Sequence, residues 1–209
     1  MKSLIPFRLS AIVLTGALLI VATGAFAQFL YDPEPPADSA FVRAFTTDAL
    51  EIKIGERALG AVAAATASAY VVIPQGARVV IAGGKSNNVT FKSGSFYTLV
   101  FNDSSKPNVI QDVVSSNRTK ANVTLYNLGK TEADLKTADG KIPVIATVKP
   151  GASNSREVNA IKIAFGAFSM GKLLQAFPET QLERGAAYSA FLLEQKAVWL
   201  QNKTDKSLK

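Results

Sequence analysis

The chain has 209 residues, a formal net charge of +7, no cysteine and no histidine. The missing histidine excludes Ser-His-Asp and Cys-His nucleophile systems and any His-bearing zinc site, and the missing cysteine excludes disulfide staples, so stability must come from packed cores. Among enzymatic routes these exclusions leave carboxylate pairs, a Ser-Lys dyad or a carboxylate-bound metal; neither a cofactor nor a resident metal is expected.

The first 27 residues read as a cleaved signal peptide. Lys2 and Arg8 form a basic start, Leu9 to Val21 is apolar, and Ala25-Phe26-Ala27 places small residues where a signal peptidase cuts. The apolar run of about 13 residues is short of the roughly 20 that a membrane span needs. Cleavage after Ala27 predicts an exported protein, with the periplasm as its expected location. Loss of Lys2 and Arg8 lowers the positive charge by two, and the remainder is spread along the chain without a basic cluster. That argues against nucleic acid and leaves ordinary solubility, or a weak attraction to an acidic polymer, as its meaning.

Residues 28–39 (QFLYDPEPPADS) form an extended, proline-rich lead-in. Phe41 to Phe45 and Leu50 to Ile54 are strands, the second by strict alternation. The alanine-rich stretch Ala58 to Ala69 is expected to be a loop leading to an edge strand. Tyr70 to Ile73 and Arg78 to Ala82 are strands around a Pro74-Gln75-Gly76 turn, and Gly83 to Asn88 turns again. Asn88 to Phe101 (NVTFKSGSFYTLVF) is the centre of this half. It hinges at Ser93-Gly94 into a strand, Phe96 to Phe101, that is apolar on both faces and therefore belongs inside a sheet.

Gln181 to Leu193 (QLERGAAYSAFLL) echoes that stretch: Gly185 answers to Gly94, Tyr188 to Tyr97, and a charged residue stands just before each glycine (Lys92, Arg184). The echo predicts an all-β protein of two tandem antiparallel β-sandwich domains, residues 40–115 and 116–202, followed by a polar tail, residues 203–209. In the second domain Val123 to Tyr126 corresponds to Val42 to Phe45. Asp139-Gly140 signals a hairpin, and Ile142 to Val148 is a strand. Lys149 to Ala152 mirrors the Pro74 to Ala77 turn, and Val158 to Phe165 is one strand. Gly166 to Thr180 is an insertion, and Ala197 to Leu200 is the last strand.

Two short motifs imitate chemistry without its context. Gly84-Lys85-Ser86 resembles the end of a phosphate loop, but the required earlier glycine is Val79. Ser169-Met170-Gly171-Lys172 has the spacing of a serine-lysine acyl enzyme but no companion motif. No catalytic residue is assigned. Exposed aromatics can stack on sugars, which makes Tyr31, Tyr70, Tyr126 and Trp199 eligible; the partner- or glycan-binding candidates are Tyr31, Phe41, Arg43, Tyr70 and Trp199. Tyr97 and Tyr188 read as core. Arg43, between Phe41 and Phe45 on one strand face, is either a solvated arginine or one that pairs with a carboxylate of a partner or sugar. The second reading expects Arg43→Ala to weaken binding and leave folding intact.

Leu30-Tyr31, Pro35-Pro36 and Ser39-Ala40-Phe41-Val42-Arg43 resemble the opening of the AlgF family of alginate biosynthesis proteins. The resemblance continues through Ser68-Ala69-Tyr70, the Pro74-x-Gly76 turn and Gly94-Ser95-Phe96-Tyr97-Thr98, and more loosely through the second half. It implies a periplasmic accessory protein that supports O-acetylation of an exported polysaccharide, most expectedly alginate. Its implied partners are periplasmic O-acetyltransferases and a membrane acetyl-donor transporter, with the anionic polysaccharide as a further candidate. A polysaccharide-binding module is the alternative, and a histidine-free O-acetyltransferase the third.

Overall fold

The computed structural model describes residues 35–102 and 105–202. The expected signal peptide, Tyr31 and the polar tail lie outside the described residues. In chain order the first half carries β1 (Ser39–Thr46), β2 (Leu50–Ile54), β3 (Arg57–Val62), β4 (Thr66–Ala67), β5 (Val71–Pro74), β6 (Gly76–Ala82), β7 (Lys85–Phe91), β8 (Phe96–Phe101) and β9 (Asn108–Asp112). The second carries β10 (Ala121–Asn127), β11 (Ala133–Thr137), β12 (Pro143–Val148), β13 (Ser153–Val158), β14 (Lys162–Ile163), β15 (Phe165–Ser169), β16 (Lys172–Ala176), β17 (Thr180–Gln181), β18 (Ala187–Leu192) and β19 (Ala197–Gln201).

The two halves repeat one topology. In the first, an inner sheet of order β4-β1-β8-β9, with β5 also on β1, faces an outer sheet β3-β2-β6-β7. In the second, an inner sheet β13-β10-β18-β19 faces an outer sheet β12-β11-β15-β16. The protein is therefore all-β with two tandem sandwich domains. One pairing in each departs from the antiparallel rule: β1 runs parallel to β8, and β10 parallel to β18. The registers agree, with Val42 opposite Tyr97 and Val123 opposite Tyr188.

Alternation along these strands sends side chains to two different cores. Ala40, Val42 and Ala44 of β1, with Tyr97, Leu99 and Phe101 of β8, pack against the first outer sheet. Val123, Leu125, Tyr188, Ala190 and Leu192 do the same in the second domain. The opposite faces of the two inner sheets meet each other through Phe45, Val100 and Ile110 on one side and Tyr126, Phe191 and Leu193 on the other. A strand flanked by sheets on both faces needs apolar residues on both, which is why β8 and β18 read as continuous apolar runs.

The echo seen in the sequence is a matched structural device. Lys92 N–H donates to the Tyr97 hydroxyl (3.1 Å), and Glu183 N–H donates to the Tyr188 hydroxyl (3.0 Å). In each case a glycine at positive φ (Gly94 at 67°, Gly185 at 73°) turns the chain between the two residues.

Four local expectations are corrected. Ala58 to Ala69 is not a loop: β3 pairs with β2 from Leu50–Val62 to Ile54–Arg57, and alanine's weak strand preference is overridden by that ladder. Gly166 to Thr180 is not an insertion, because β15 and β16 occupy the places that β6 and β7 hold in the first domain. Val158 to Phe165 is not one strand, because β13 lies in the inner sheet and β15 in the outer, and the chain must cross between them. Lys149 to Ala152 joins β12 to β13, the counterparts of β3 and β5, so it is not the equivalent of the Pro74 turn.

The paired tyrosines yield a symmetric expectation. Tyr97→Phe and Tyr188→Phe should each cost about 1 kcal/mol, the net worth of one hydrogen bond with its backbone donor left unsatisfied. Urea unfolding of the single and double variants checks this; the two effects should add, since the sites share no partner.

Candidate functional site

Arg43 lies on the β1 face that looks toward the second domain, and only 1% of its surface is exposed. Its Nε donates to Thr98 Oγ1 (2.9 Å) on the neighbouring β8. Its Nη2 reaches across the domain interface to Tyr126 Oη (2.8 Å) on β10 and Ser189 Oγ (3.0 Å) on β18. Thr98 and Ser189 are equivalent positions of the two repeats: Arg43 stands opposite Thr98 in the first ladder, and Thr124 opposite Ser189 in the second. One guanidinium thus bonds to the same hydroxyl position in both domains.

The counter-charge is Asp112, at the end of β9, and it reaches Arg43 only through hydroxyls. Thr98 donates to Asp112 Oδ2 (2.7 Å), Tyr126 to Oδ1 (2.6 Å), and Tyr70 to Oδ2 (2.7 Å). Ser189 passes its own proton to Asn202 Oδ1 (2.7 Å). The Tyr70 ring also lies under the guanidinium, 4.8 Å from its carbon, with Tyr126 at 5.6 Å and Phe191 at 5.9 Å. Beside this cluster, Phe191 is stacked between Phe45 (3.9 Å) and Tyr126 (4.5 Å). Every buried side-chain nitrogen and oxygen among the described residues has a hydrogen-bond partner. Arg43 and its three hydroxyl acceptors are buried, while Tyr70 and Asp112 at the edge of the cluster are half-buried.

Electrostatics reinforce that reading. Burial raises the Tyr126 and Tyr70 hydroxyl pKa values; Arg43 opposes the rise, and Asp112 adds to it. Burial pulls Arg43 downward, but its tyrosine and carboxylate neighbours outweigh that, and the net direction is up. At neutral pH both phenols are protonated.

Of the candidates taken from the sequence, Phe41, Arg43 and Tyr70 come together. Phe41 stacks on Phe96 (4.4 Å), and Tyr70 meets Phe96 edge-on (5.4 Å), forming a half-buried aromatic rim beside Arg43. The two readings of Arg43 are both corrected: it is neither solvated nor available to an external carboxylate, because the second domain covers it. Trp199 is half-buried and packs against the edge of the second domain's core, stacked on Tyr188 (5.6 Å) and Phe177 (5.5 Å) and tilted against Phe165 (5.2 Å). The sequence reading does not pick out Thr98, Asp112, Ser189 or Asn202. Tyr126, weighed as an exposed ring for sugar stacking, is instead buried, with 1% of its surface exposed. Among the described residues, no group of three or more Asp or Glu side chains could hold a metal ion.

Two outcomes test the cluster. Arg43→Ala should destabilise the fold by about 3–5 kcal/mol, because removing one partner of a buried polar pair strands the others. It should also open the segment between β9 and β10 to limited proteolysis; Arg43→Lys should not rescue, as one ammonium cannot reach three acceptors in the guanidinium's fixed geometry. Second, a phenol whose folded pKa is raised contributes stability below its unfolded value of about 10, and loses it as pH climbs toward the folded value. Absorbance at 295 nm should therefore show Tyr70 and Tyr126 ionising only as the protein unfolds above that pH.

Comparison with known proteins agrees with the resemblance seen in the sequence. The profile of the family described as "Alginate O-acetyl transferase AlgF" matches residues 15–189. The alginate biosynthesis protein AlgF of Pseudomonas syringae pv. tomato is 34% identical over 178 residues, covering 83% of this chain and 80% of that protein. AlgF of Pseudomonas aeruginosa is 34% identical over 158 residues (75% and 73%), and AlgF of Azotobacter vinelandii 27% over 172 residues (81% and 78%). Solved structures of the C-terminal and N-terminal domains of Pseudomonas aeruginosa AlgF are each 30% identical. They cover 40% and 38% of this chain and 99% and 100% of their own, with TM-scores of 0.38 and 0.34. The chain belongs to the AlgF family of alginate biosynthesis proteins.

Proposed function

We propose that this protein is a periplasmic adaptor required for O-acetylation of alginate, bridging acetyl-transfer components without catalysing the transfer itself. The observation that carries this reading is the character of its most concentrated polar cluster. Arg43, Asp112 and their hydroxyls are consumed in joining two domains, with each buried polar atom satisfied internally. A catalytic centre needs a nucleophile, a proton acceptor and space for the substrate. Here the hydroxyls of Thr98, Tyr126 and Ser189 are shielded by the facing sheet. The chain has no histidine to activate any other hydroxyl.

An adaptor has a different requirement, which is two surfaces held in a constant mutual orientation. Inner sheets sealed by stacked aromatics and a bridged arginine meet that requirement. The family's name supplies the pathway, and the leader-like N-terminus supports a periplasmic setting. Transferases and a membrane acetyl-donor transporter are the partners this reading assigns.

Deletion of the gene, with restoration in trans, should remove acetyl ester from the secreted polymer while polymer yield is kept. Acetyl per sugar is the quantity to measure. Normal acetylation in the deletion strain would refute the adaptor role and favour a module that binds the glycan.

A further inference from the structure

The last two strands of each outer sheet, β6–β7 and β15–β16, form a hairpin with a two-residue turn, and the two turns differ. In the first domain Gly83 and Gly84 (φ 54° and 76°) turn β6 into β7. Glycine adopts this pair of positive φ values without steric cost, and β7 follows with the polar run Lys85-Ser86-Asn87-Asn88. In the second domain the equivalent turn is Met170-Gly171 (φ 49° and 75°). A methionine side chain is held in the left-handed region, where it is disfavoured, and is 80% exposed. The strand that follows, β16, reads Lys-Leu-Leu-Gln-Ala and is exposed at all five positions. Leu173 is 48% and Leu174 37% exposed.

Among the described residues β16 pairs with β15 alone, so its other edge is open. Open edges in soluble proteins are usually blunted by charge, proline or covering segments. This one carries a single charge, Lys172, and apolar residues in the middle. Beside it lies a cavity of about 300 Å³ lined by Leu174 together with Asn127, Lys130, Leu193 and Glu194, among others. Strain, an exposed methionine and an unprotected apolar edge occur together in one copy of a repeated hairpin and are all absent from the other. Where local rules are broken jointly, function is the usual reason.

We propose that β16 is the docking edge for another protein, which adds an extended strand to it. The occupant has apolar side chains at alternate positions, one of which enters the cavity beside Leu174, and an Asp or Glu facing Lys172. Charge selects this occupant over a second copy of the chain. Lys172 has no carboxylate partner among the described residues, and an acidic side chain on the added strand would give it one. Antiparallel pairing of two β16 strands about Leu174 would set each Lys172 against an Ala176 and leave it unpaired. It would also bring together two chains that each carry a net positive charge. Main-chain bonds along the edge supply affinity, and the cavity and Lys172 supply selection. The identity of the partner as part of the acetylation machinery rests on the adaptor reading; the edge itself does not.

The test places a photo-crosslinking benzoylphenylalanine at position 170 of the full-length protein in its native host, with position 88 in β7 as the internal comparison. Adducts are mapped to the peptide level. The expected result is an adduct at position 170, and not at 88, with a strand segment of another protein that contains a carboxylate. Leu174→Lys and Lys172→Glu, with unchanged Tm, should each cut its yield at least tenfold. An adduct between two copies of this chain, equal yield from both positions, insensitivity to both substitutions, or no adduct would each overturn the proposal. The two readings separate cleanly. Acetyl loss on deletion without an adduct retains the adaptor and rejects the edge; an adduct with normal acetylation does the reverse.

Discussion

A guanidinium deprived of water is the constraint on which the remainder of the structure depends. Removing Arg43 from solvent carries a penalty of several kcal/mol, and a bare ion pair in its place would have to recover all of it by Coulomb attraction alone. This protein distributes the recovery instead. Two hydroxyls, of Thr98 and Tyr126, accept from Arg43 and donate to Asp112, and the Tyr70 ring provides a cation–π face beneath. The geometry closes only if β1, β8, β9, β10 and β18 are all in place. The cluster therefore specifies one docking angle between the domains, where an apolar patch alone would tolerate sliding.

The interface also shows how a repeat becomes asymmetric. Corresponding faces of two sandwiches are pressed together, with Phe45 and Tyr126 at equivalent positions enclosing Phe191. Arg43 has Thr124 as its counterpart, and Thr124 is satisfied within its own domain by Ser155 (2.8 Å). Only one long cation fits between the sheets, so only one repeat supplies it. Divergence at the outer hairpins follows the same logic on the solvent side.

Much of the architecture was legible because it rests on signals of short range. Alternation in Leu50–Ile54, the double-faced apolar strand Phe96–Phe101 and the Gly–Tyr echo each correspond to one local cause, and each is present in the fold. The errors have physical reasons too. Alanine and glycine in Ala58–Val62 and Gly166–Ser169 disguise strands whose stability comes from ladders rather than from side chains. The site was far less visible. Arg43 stood out as an anomaly between two phenylalanines, but its burial depends on Ser189, 146 residues away. No spacing rule connects such positions.

The separation in sequence between Arg43 and Ser189 has a consequence for how the molecule is assembled. A chain emerging from its N-terminus completes β1 to β9, and with them the first core, before β18 exists. In that interval Arg43, Phe45, Val100 and Ile110 form a surface that nothing yet covers. The first domain must wait, half-apolar and charged, for a complement encoded at the far end of the chain. Loop closure over that distance is slow relative to local pairing, and exposed apolar faces invite association while they wait. The buried arginine makes that waiting surface more soluble than an all-aromatic one would be. The charge that makes the finished interface selective also protects the unfinished one.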